Sequence, residues 1–459
     1  MKVLLTHGYY LLEDEKETKI MRPYPPLGLL YVSGYLEQVG LTHSVFDSTY
    51  SSYHEHLKYI KKNKPEIIAI YTNLMTKINI LKFVKEVKSK VEYGQPTIIL
   101  GGPDVTYNLE NYLKSGIDFI IIGEGEETCA ELCNAILKDE ETITIPGIAF
   151  MEGGEVIKTL GRQKIKDLST LPLPNRNAIK IEKYLKTWKT HHGKSSMTIS
   201  TQRGCPYTCK WCSTAVYGQS YRRRPAKLVV QEMAMLKEQY NPDAIWFVDD
   251  VFTVSHKWMD AFFEEIENQK VLIPFECITR AERLNKDILK KMKKAGCFRI
   301  WIGAESGSQK IVDHMDRRVD IDHVKETIQL TNSLGMESGT FVMLGYPTET
   351  MDDIKKTIQY LIDANPTQFT ITKAYPIKGT SLYEEVQAKI TTPLEWNKST
   401  DRDIDFVRTY KSEFYNHAIP YVLGKIDLAL KKRKATFTIR KRIGLTIRRI
   451  KMSWYMAIS

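Results

Sequence analysis

The chain has 459 residues, of which 42% are hydrophobic, and this length and composition suit two or three domains with their own cores. No run of eighteen apolar residues occurs and the N-terminus reaches the acidic Glu13 within a few residues, so we expect neither a membrane-spanning helix nor a signal peptide. The net charge of +11 is concentrated between Lys431 and Lys451, where ten Lys or Arg occur without an Asp or Glu, which argues against a nucleic-acid surface spread over the body of the protein.

Residues 1 to about 150 alternate short β-branched runs with amphipathic stretches. The runs predict strands at Val3 to Thr6, Ser44 to Asp47, Glu66 to Tyr71, Thr97 to Leu100 and Phe119 to Ile122. Helices are predicted between them, at Leu27 to Val39, Tyr53 to Asn63 and Lys77 to Val91. Five strands separated by helices indicate an α/β domain built on a doubly wound, Rossmann-like parallel sheet.

The predicted strands of this domain end in glycine-rich segments. Ligands of such sheets bind at the carboxyl ends of the strands, and a missing side chain lets a large planar ligand approach the backbone. Ordinary turn chemistry explains the same glycines, and both interpretations stay open on spacing alone. The segments are Gly8, Thr72-Asn73, Gly101-Gly102-Pro103 and Gly123-Glu124-Gly125-Glu126.

A linker is predicted from residue 151 to residue 194. It contains Gly153-Gly154 and the closely spaced prolines of Leu171-Pro172-Leu173-Pro174, which resist both helix and central strand. Just before it, Cys129 and Cys133 are four apart on a predicted helix and face the same side. They could ligate a metal, but buried core cysteines are the preferred interpretation.

From Met197 a second alternation begins, with six β/α units. The strands are predicted at Met197 to Thr201, Ala244 to Val248, Phe275 to Thr279, Phe298 to Gly303, Thr340 to Leu344 and Phe369 to Thr372. The helices are predicted at Lys227 to Tyr240, Lys257 to Asn268, Asp287 to Ala295, Val324 to Leu334 and Met351 to Ala364. This pattern predicts a (β/α)6 partial TIM barrel over residues 195 to 385, with its active site at the carboxyl ends of the strands.

The predicted barrel strands end in polar and charged residues. Adjacent acids after an apolar strand can simply cap the next helix, but we expect all these ends to meet on one face of the barrel, which favours a site. The ends read Arg203-Gly204-Cys205, Asp249-Asp250, Arg280, Glu305-Ser306, Gly345-Tyr346-Pro347 and Lys373-Ala374-Tyr375-Pro376.

Three of the seven cysteines, Cys205, Cys209 and Cys212, lie within eight residues directly after the first barrel strand. Seven is an odd number, which fits a reducing cytoplasm better than a disulfide framework. Three thiolates on a short loop can hold an iron-sulfur cluster or a zinc ion and leave one coordination position open. Zinc is the less favoured alternative, because zinc ribbons use paired two-residue spacings; Pro206 and Lys210 also make this a poor core segment.

The motif Cys-x3-Cys-x-Trp-Cys resembles the signature of the radical S-adenosylmethionine (SAM) enzymes. That resemblance implies a [4Fe-4S] cluster on Cys205, Cys209 and Cys212 as metal-binding and catalytic residues, with the fourth iron bound to SAM, which one electron splits into methionine and a 5′-deoxyadenosyl radical. It also implies SAM contacts from the barrel. Asp249 and Asp250 would lie near the methionine amino group, Glu305 and Ser306 near the ribose, and Trp211 and Gly345 near the adenine, with Arg280 on the same face.

The N-terminal glycine segments, together with Pro25-Pro26-Leu27-Gly28, resemble the cobalamin-binding domain of one branch of this family, that of the anaerobic magnesium-protoporphyrin ester cyclase. The resemblance implies cobalamin contacts from Thr72, Gly101, Gly102, Gly123, Gly125 and Glu126. The Asp-x-His-x-x-Gly motif that gives cobalt a histidine in other cobalamin proteins is absent, and His7 is expected to be a loop histidine.

The resemblance covers about residues 1 to 385 and implies methylation of an unactivated carbon, with an electron donor such as flavodoxin or ferredoxin. Radical cyclisation or rearrangement without methyl transfer is the first alternative. A protein whose cluster only transfers electrons is an alternative of another class, which would leave the open coordination position without a purpose.

The C-terminal region, residues 386 to 459, is predicted to be helical with a basic amphipathic tail. Ile443, Ile447, Ile450 and Trp454 recur at helical spacing, with Arg440, Lys441, Arg448, Arg449 and Lys451 on the other face. We expect a cytoplasmic protein with peripheral contact to the inner face of the membrane and a small-molecule or lipid-like substrate. A tail that packs on the body, or one that is disordered, is the alternative.

Overall fold

The computed structural model describes residues 2–213, 217–391, 395–433 and 439–457. It divides into two compact units. Unit 1 contains Met1–Pro206, Thr214–Trp246 and Leu394–Thr400, and unit 2 contains Tyr207–Ser213, Phe247–Pro393 and Asp401–Ser459. The boundary after Pro206 falls within the three-cysteine loop, so each unit carries part of it.

Unit 1 is built on a seven-stranded sheet with the order β2-β1-β3-β4-β5-β6-β7. The first five strands are parallel to their neighbours, and β6 and β7 are antiparallel. All five predicted strands are present, within one or two residues. The strands are β1 (Val3–His7), β2 (His43–Phe46), β3 (Ile67–Tyr71), β4 (Thr97–Gly101), β5 (Phe119–Ile121), β6 (Ile148–Glu152) and β7 (Glu155–Lys158).

Apolar side chains fill both faces of this sheet, because its strands alternate buried residues to either side. Leu4 and Ile68 belong to one core, and Val3, Leu5 and Ile67 belong to the other. Cys129 and Cys133 are buried in the second core with their sulfurs 4.0 Å apart, as expected. The helices of unit 1 are α1 (Glu15–Ile20), α2 (Leu27–Gln38), α3 (Tyr53–Asn63), α4 (Lys77–Ser89), α5 (Leu109–Leu113), α6 (Glu126–Lys138), α7 (Ile181–His192) and α8 (Ala226–Tyr240).

The segment predicted as a linker, residues 151 to 194, contains regular structure that the prediction lacked. Gly153 and Gly154, both at positive φ, form the turn between β6 and β7, so a boundary at residue 150 falls inside β6. Further on, α7 buries Tyr184 and Trp188. The prolines confine the irregular stretch to the residues between β7 and α7.

Four short strands complete unit 1. β8 (Ser196–Ile199) and β11 (Ala244–Phe247) match two predicted barrel strands, and β11 ends at the unit boundary. β9 (Gln202–Arg203) pairs antiparallel with β10 (Arg222–Arg223), which places Arg203 opposite Arg222 just before the first cysteine.

Unit 2 contains four neighbouring parallel strands in the order β15-β14-β13-β12, each joined to the next through helix. They match the last four predicted barrel strands: β12 (Phe275–Thr279), β13 (Cys297–Glu305), β14 (Glu337–Leu344) and β15 (Gln368–Lys373). The helices of unit 2 are α9 (His256–Gln269), α10 (Lys286–Lys294), α11 (Gln309–His314), α12 (Ile321–Ser333), α13 (Met351–Ala364), α14 (Ser381–Val386), α15 (Ser412–Arg433) and α16 (Ile439–Ala457).

The C-terminal helices of unit 2 pack on each other. Met452 of α16 is buried, and Tyr455 of α16 stacks on His417 of α15 with ring centroids 5.5 Å apart. Ile447, Ile450 and Trp454 are 50%, 64% and 59% exposed. In the described part of the chain no helix combines the length and apolar composition that crossing a membrane requires.

Gly102, directly after β4, is a glycine that the fold itself requires. Its φ is +116°, and a Cβ there would lie 2.1 Å from the carbonyl oxygen of Thr72. We expect Gly102→Ala to lower the free energy of unfolding by about 1–3 kcal/mol more than Gly40→Ala, because the overlap adds to the cost of positive φ. Gly40 is the matched control, since its φ is +74° and nothing lies within 4 Å of a Cβ. Urea unfolding measures both; equal losses would contradict the overlap.

Candidate active site

The residues predicted to contact cobalamin lie at the carboxyl ends of β3, β4 and β5, which are neighbours in the sheet of unit 1. The backbone N–H of Thr72 donates to the carbonyl of Gly101 (2.8 Å), so these two ends are joined directly. Gly123 after β5 has φ +89° and nothing within 4 Å of a Cβ position. Gly125 is the N-cap residue of α6. The ends of β3 and β4 are therefore closely packed against each other, whereas the backbone at Gly123 has free space beside it.

His7, at the end of β1, is buried and has partners on both ring nitrogens. Its Nε2 lies 3.0 Å from Asp47 Oδ1, and its Nδ1 accepts from the backbone N–H of Tyr9 (3.2 Å) and lies 3.1 Å from Ser48 Oγ. Asp47 is held ionised there: burial alone would raise its pKa, but the His7 and Tyr184 contacts lower it. With both nitrogens engaged, His7 has the geometry of a structural histidine.

Glu124 and Glu126, which follow β5, form a buried ion-pair cluster with Arg203 of β9 and Arg222 of β10. Arg203 Nη1 lies 3.0 Å from Glu124 and 3.2 Å from Glu126, and Arg203 Nη2 is also paired with Glu126. Arg222 Nη1 lies 2.8 Å from Glu124. All four residues lie within unit 1. Glu126 is thus ion-paired with Arg203. This pair joins the segment after β5 to β9, the strand that precedes Cys205.

This ion-pair cluster is well shielded from water. The Arg203 guanidinium lies over the ring of Tyr31, 5.5 Å from its centroid, and over that of Tyr217, at 5.4 Å. Burial alone would raise the pKa of Glu124, but hydrogen bonds from Arg222 and Arg203 hold it below its usual value. Arg203 was predicted only as part of a polar strand end, and neither Arg222 nor the pairing with Glu124 and Glu126 was predicted. In the sequence, Arg203 precedes the cysteine loop and Arg222-Arg223-Arg224 follow it.

In unit 2 the loop Tyr207–Ser213 is fastened to α11 and α14. The backbone N–H of Lys210 donates to the Met315 carbonyl (3.1 Å), and the Lys210 carbonyl accepts from the backbone N–H of Leu382 (2.9 Å). The Thr208 hydroxyl donates to Asp316 (2.5 Å). The Trp211 ring packs against an apolar cluster that contains Ile311, Met315, Tyr346, Leu382 and Phe406.

All seven cysteines lie in the described part of the chain as thiols. Cys205 and Cys209 are half-buried and Cys212 is exposed, whereas Cys277 and Cys297 are buried. Within the described residues, no three His, Cys, Asp or Glu side chains are arranged to hold a single metal ion. The three loop cysteines are therefore the thiols of this chain that solvent reaches.

Arg280, directly after β12, contacts the cysteine loop rather than an open space. Its Nη1 lies 3.5 Å from the Cys209 sulfur, its Nη2 donates to the Arg317 carbonyl, and its Nε is paired with Glu282. The guanidinium lies 3.9 Å from the centroid of the Tyr207 ring. Every nitrogen of this predicted SAM contact already has a partner.

Glu305, at the end of β13, is buried and has a φ of +66°. Burial raises its pKa to about 7, although Arg317, 3.8 Å away, and Arg280 oppose the rise. The next residue, Ser306, faces α13: its hydroxyl lies 3.2 Å from the Thr357 hydroxyl and accepts from the backbone N–H of Ser308 (3.2 Å). Of this predicted pair, Glu305 is ion-paired with Arg317, whereas Ser306 bonds to α13 and its own loop.

Asp249 and Asp250 follow β11 and lie in unit 2. Asp249 is buried, while Asp250 is exposed. Partial desolvation and the negative charge of the neighbouring Asp249 raise the pKa of Asp250, although its side chain is exposed. An incoming cation would relieve that repulsion.

Gly345, after β14, has φ +80°, and a Cβ there would lie 3.1 Å from the ring of Tyr415. Its backbone N–H donates to Glu349 (2.6 Å), and its carbonyl accepts from Arg408 Nε (2.9 Å). Burial raises the pKa of Glu349 to about 8, with Asp353 adding to the rise. The loop after β14 is thus held by a buried carboxyl group that carries a proton at neutral pH.

We expect this carboxyl group to make stability depend on pH. A folded pKa near 8 against an unfolded value near 4.5 means that folding takes up a proton between these values, so its contribution falls as pH rises through that window. Between pH 6 and 8 the protein should lose about 2 kcal/mol more unfolding free energy than Glu349→Gln. Urea unfolding at several pH values measures this, with exposed Glu326→Gln as the control. Parallel pH profiles for Glu349→Gln and the unchanged protein would contradict it.

Comparison with known proteins matches the Radical SAM superfamily over residues 199–361 and the B12 binding domain over residues 18–133. An uncharacterised methyltransferase of Pyrococcus horikoshii is 28% identical over 83% of this chain and 82% of its own. The anaerobic magnesium-protoporphyrin IX monomethyl ester cyclase of Rubrivivax gelatinosus is 26% identical over 85% of this chain and 71% of its own.

Among solved structures, the cobalamin-dependent SAM radical enzyme OxsB, with aqua-cobalamin and SAM bound, has a similar fold. The TM-score is 0.76 at 16% identity, over 98% of this chain and 71% of that one. The three-cysteine loop lies inside the first matched region, and the strand ends of β3, β4 and β5 lie inside the second.

Proposed function

We propose that this cobalamin-dependent radical SAM enzyme transfers a methyl group to an unactivated carbon of its substrate. One observation carries the proposal: a radical SAM domain with three accessible thiols follows a B12 binding domain in the same chain. A relative named as a methyltransferase spans most of the chain. The substrate class is that of small molecules, and the electron comes from an external donor such as flavodoxin or ferredoxin.

The thiol loop fits an iron-sulfur cluster. Cys205, Cys209 and Cys212 are the ligands in this proposal, and three thiolates leave one iron open for SAM. A cluster on thiolates is anionic, and Arg280 and Arg317 place two cations beside Cys209. When bound, the cluster supplies the electron that cleaves SAM, and cobalamin carries the methyl group.

The proposed SAM contacts follow from the charges of the strand ends in unit 2. Asp249 and Asp250 suit the methionine ammonium, since a cation relieves the repulsion between them. Glu305, buried beside Arg317, suits the ribose hydroxyls. Trp211 and Gly345 would lie next to the adenine. Ser306 supports this arrangement through Thr357 rather than by direct contact.

The proposed cobalamin contacts are the strand ends of unit 1: Thr72, Gly101, Gly102, Gly123 and Gly125. The open position at Gly123 supports close approach of a flat ligand to the backbone. Glu126 is expected to act indirectly, because Arg203 occupies it.

We also propose the domain layout in finer detail. A cobalamin domain of about residues 1–150 is extended by the β6–β7 hairpin, and a segment to residue 194 leads to the radical SAM core at 195–385. The alternation of β8, β11 and β12 to β15 with helices supports a (β/α)6 part-barrel. Residues 386–459 form the helical C-terminal region.

Labelled methyl groups test the proposal. The protein reconstituted with iron, sulfide and cobalamin is incubated with SAM carrying a ¹³C-methyl group and with extracts of cells that lack the enzyme. A product heavier by one labelled methyl supports methyl transfer. SAM consumption with an unlabelled, rearranged product would support the cyclase alternative, which the 26% identical relative motivates. No SAM cleavage under strong reductant would favour electron transfer alone.

The exposed face of α16 supports peripheral membrane contact of this protein at the cytoplasmic face. Ile447, Ile450 and Trp454 are exposed, and Met452 on the opposite side is buried. Arg448, Arg449 and Lys451 add positive charge, and each basic residue near an anionic surface contributes about 1 kcal/mol. The side chains of residues 431–445, including Arg440, Lys441 and Ile443, lie outside the described part. Such a surface suits a lipid-like substrate.

We expect a triple variant, Ile447→Ser, Ile450→Ser and Trp454→Ser, to lose most of the binding to vesicles of anionic phospholipid. The variant keeps Met452, so the packing of α16 on α15 should survive. Sedimentation with anionic and neutral vesicles, in low and high salt, measures the binding. Arg448→Glu with Lys451→Glu should weaken binding mainly at low salt. Equal pelleting of all versions would mean that α16 does not contact lipid.

A further inference from the structure

Arg280 was predicted to contact SAM, but its guanidinium is bonded to other protein groups. It is buried, directly follows β12, and lies in unit 2 together with Cys209. A residue that binds the SAM carboxylate needs a guanidinium edge that faces an open space. Here each of the three nitrogens is already engaged, by Cys209, Arg317 and Glu282.

The contact with Cys209 is held from two sides. Below the guanidinium, the Tyr207 ring fixes the plane at 3.9 Å from its centroid. At its edge, the carbonyl of Arg317 fixes Nη2. The remaining nitrogen, Nη1, then points at the Cys209 sulfur at 3.5 Å. Tyr207 is two residues before Cys209, so the loop itself supplies the platform for the arginine that contacts its sulfur.

We propose that Arg280 is a redox-tuning residue that donates a charge-assisted hydrogen bond to the sulfur of Cys209 and thereby raises the reduction potential of the cluster. This inference rests on the proposed function, since it takes Cys209 as a cluster ligand. Reduction adds one electron from the external donor and makes the cluster more negative. A cation bonded to a ligand sulfur stabilises the reduced state more than the oxidised state.

The direction of the effect follows directly. Removing the cation stabilises the oxidised cluster relative to the reduced one, so Arg280→Gln should lower the midpoint potential. We expect the ratio of reduced to oxidised cluster at a fixed potential to fall about tenfold, which corresponds to 59 mV for a one-electron couple. Arg280→Lys keeps the charge but not the planar guanidinium. Its midpoint potential should therefore lie between those of the unchanged protein and Arg280→Gln.

The experiment is a redox titration of the reconstituted full-length protein, followed by electron paramagnetic resonance of the reduced cluster, with iron and sulfide content measured for each variant. Arg283→Gln is the matched control. Arg283 is on the same loop and donates to the Tyr207 hydroxyl (2.6 Å) rather than to a sulfur. SAM affinity is measured in parallel by isothermal titration.

A lower potential in Arg280→Gln, with Arg283→Gln close to the unchanged protein and SAM affinity retained, supports the inference. An unchanged potential, equal shifts in both variants, or loss of SAM affinity without a potential shift would overturn it. If Arg280→Gln does not load iron, Arg280→Lys decides, and an unchanged midpoint in that variant overturns the inference. Absence of a cluster from the unchanged protein would instead overturn the proposed function.

Discussion

Replacing any one of Cys205, Cys209 and Cys212 by Ala should abolish both the visible absorbance of the cluster and all SAM cleavage. Two remaining thiolates cannot hold a cubane that leaves one iron open to SAM. The measurements are iron content, the absorbance of the reconstituted protein and the formation of 5′-deoxyadenosine. Complete loss is expected in all three variants, because in the proposed function each thiol binds a different iron.

Cys277→Ala and Cys297→Ala are the matched controls. Both cysteines are buried in unit 2, in β12 and β13, and neither is part of the loop. These variants should keep the iron content and the absorbance of the unchanged protein. If all five variants behaved alike, the assignment of the loop cysteines as ligands would be wrong.

Arg203→Met should strongly destabilise unit 1. It leaves Glu126 buried without the cation that pairs with it, while Glu124 keeps Arg222. Breaking a buried ion pair from one side costs about 3–5 kcal/mol, because the stranded charge stays in a poor environment for it. Urea unfolding followed by tryptophan fluorescence measures the loss.

Two further variants separate the stranded charge from the lost packing. Arg203→Met combined with Glu126→Gln removes the charge that was left behind and should recover part of the stability. Lys61→Met, at the exposed pair with Glu92, should change little. An Arg203→Met protein as stable as Lys61→Met would contradict the prediction.

The same ion-pair cluster carries a pH dependence of known sign. Because the folded pKa of Glu124 is below its usual value, its contribution is present above the unfolded pKa and is lost as pH falls through the folded pKa. Arg203→Met should therefore weaken the acid dependence of unfolding below about pH 4.5. Glu349 acts in the opposite direction, between about pH 4.5 and 8.

Most strands could be predicted because they are short, β-branched and buried on both faces. The predicted strand at Phe275 to Thr279 matches β12 in both bounds. The β6–β7 hairpin was missed because Gly153-Gly154 was taken for a linker signal, although two glycines at positive φ equally suit a tight turn. Helix α7 was not predicted because the closely spaced prolines before it indicated a linker, although its buried residues Ile181, Tyr184 and Trp188 recur at helical spacing.

The candidate site was predictable where chemistry is local in sequence and not where it is distant. The three-cysteine loop could be found from its spacing. The pairing of Arg203 with Glu126 joins residues 77 apart, and no periodic pattern indicates it. Likewise, Arg280 was expected among the SAM contacts from its place after a strand, but its partners depend on Tyr207 and Arg317, which only the fold brings to it.

The hairpin that ends the sheet of unit 1 also bears on how the protein behaves at high concentration. A parallel sheet with a bare outer strand offers unpaired N–H and C=O groups to a second molecule. Here β7 forms that edge with only four residues, and its two ends, Glu155 and Lys158, are exposed and charged. A strand from a second molecule would have to bury those charges to extend the seven-stranded ladder. The hairpin thus protects this edge of the sheet against edge-to-edge aggregation, a role separate from cofactor binding.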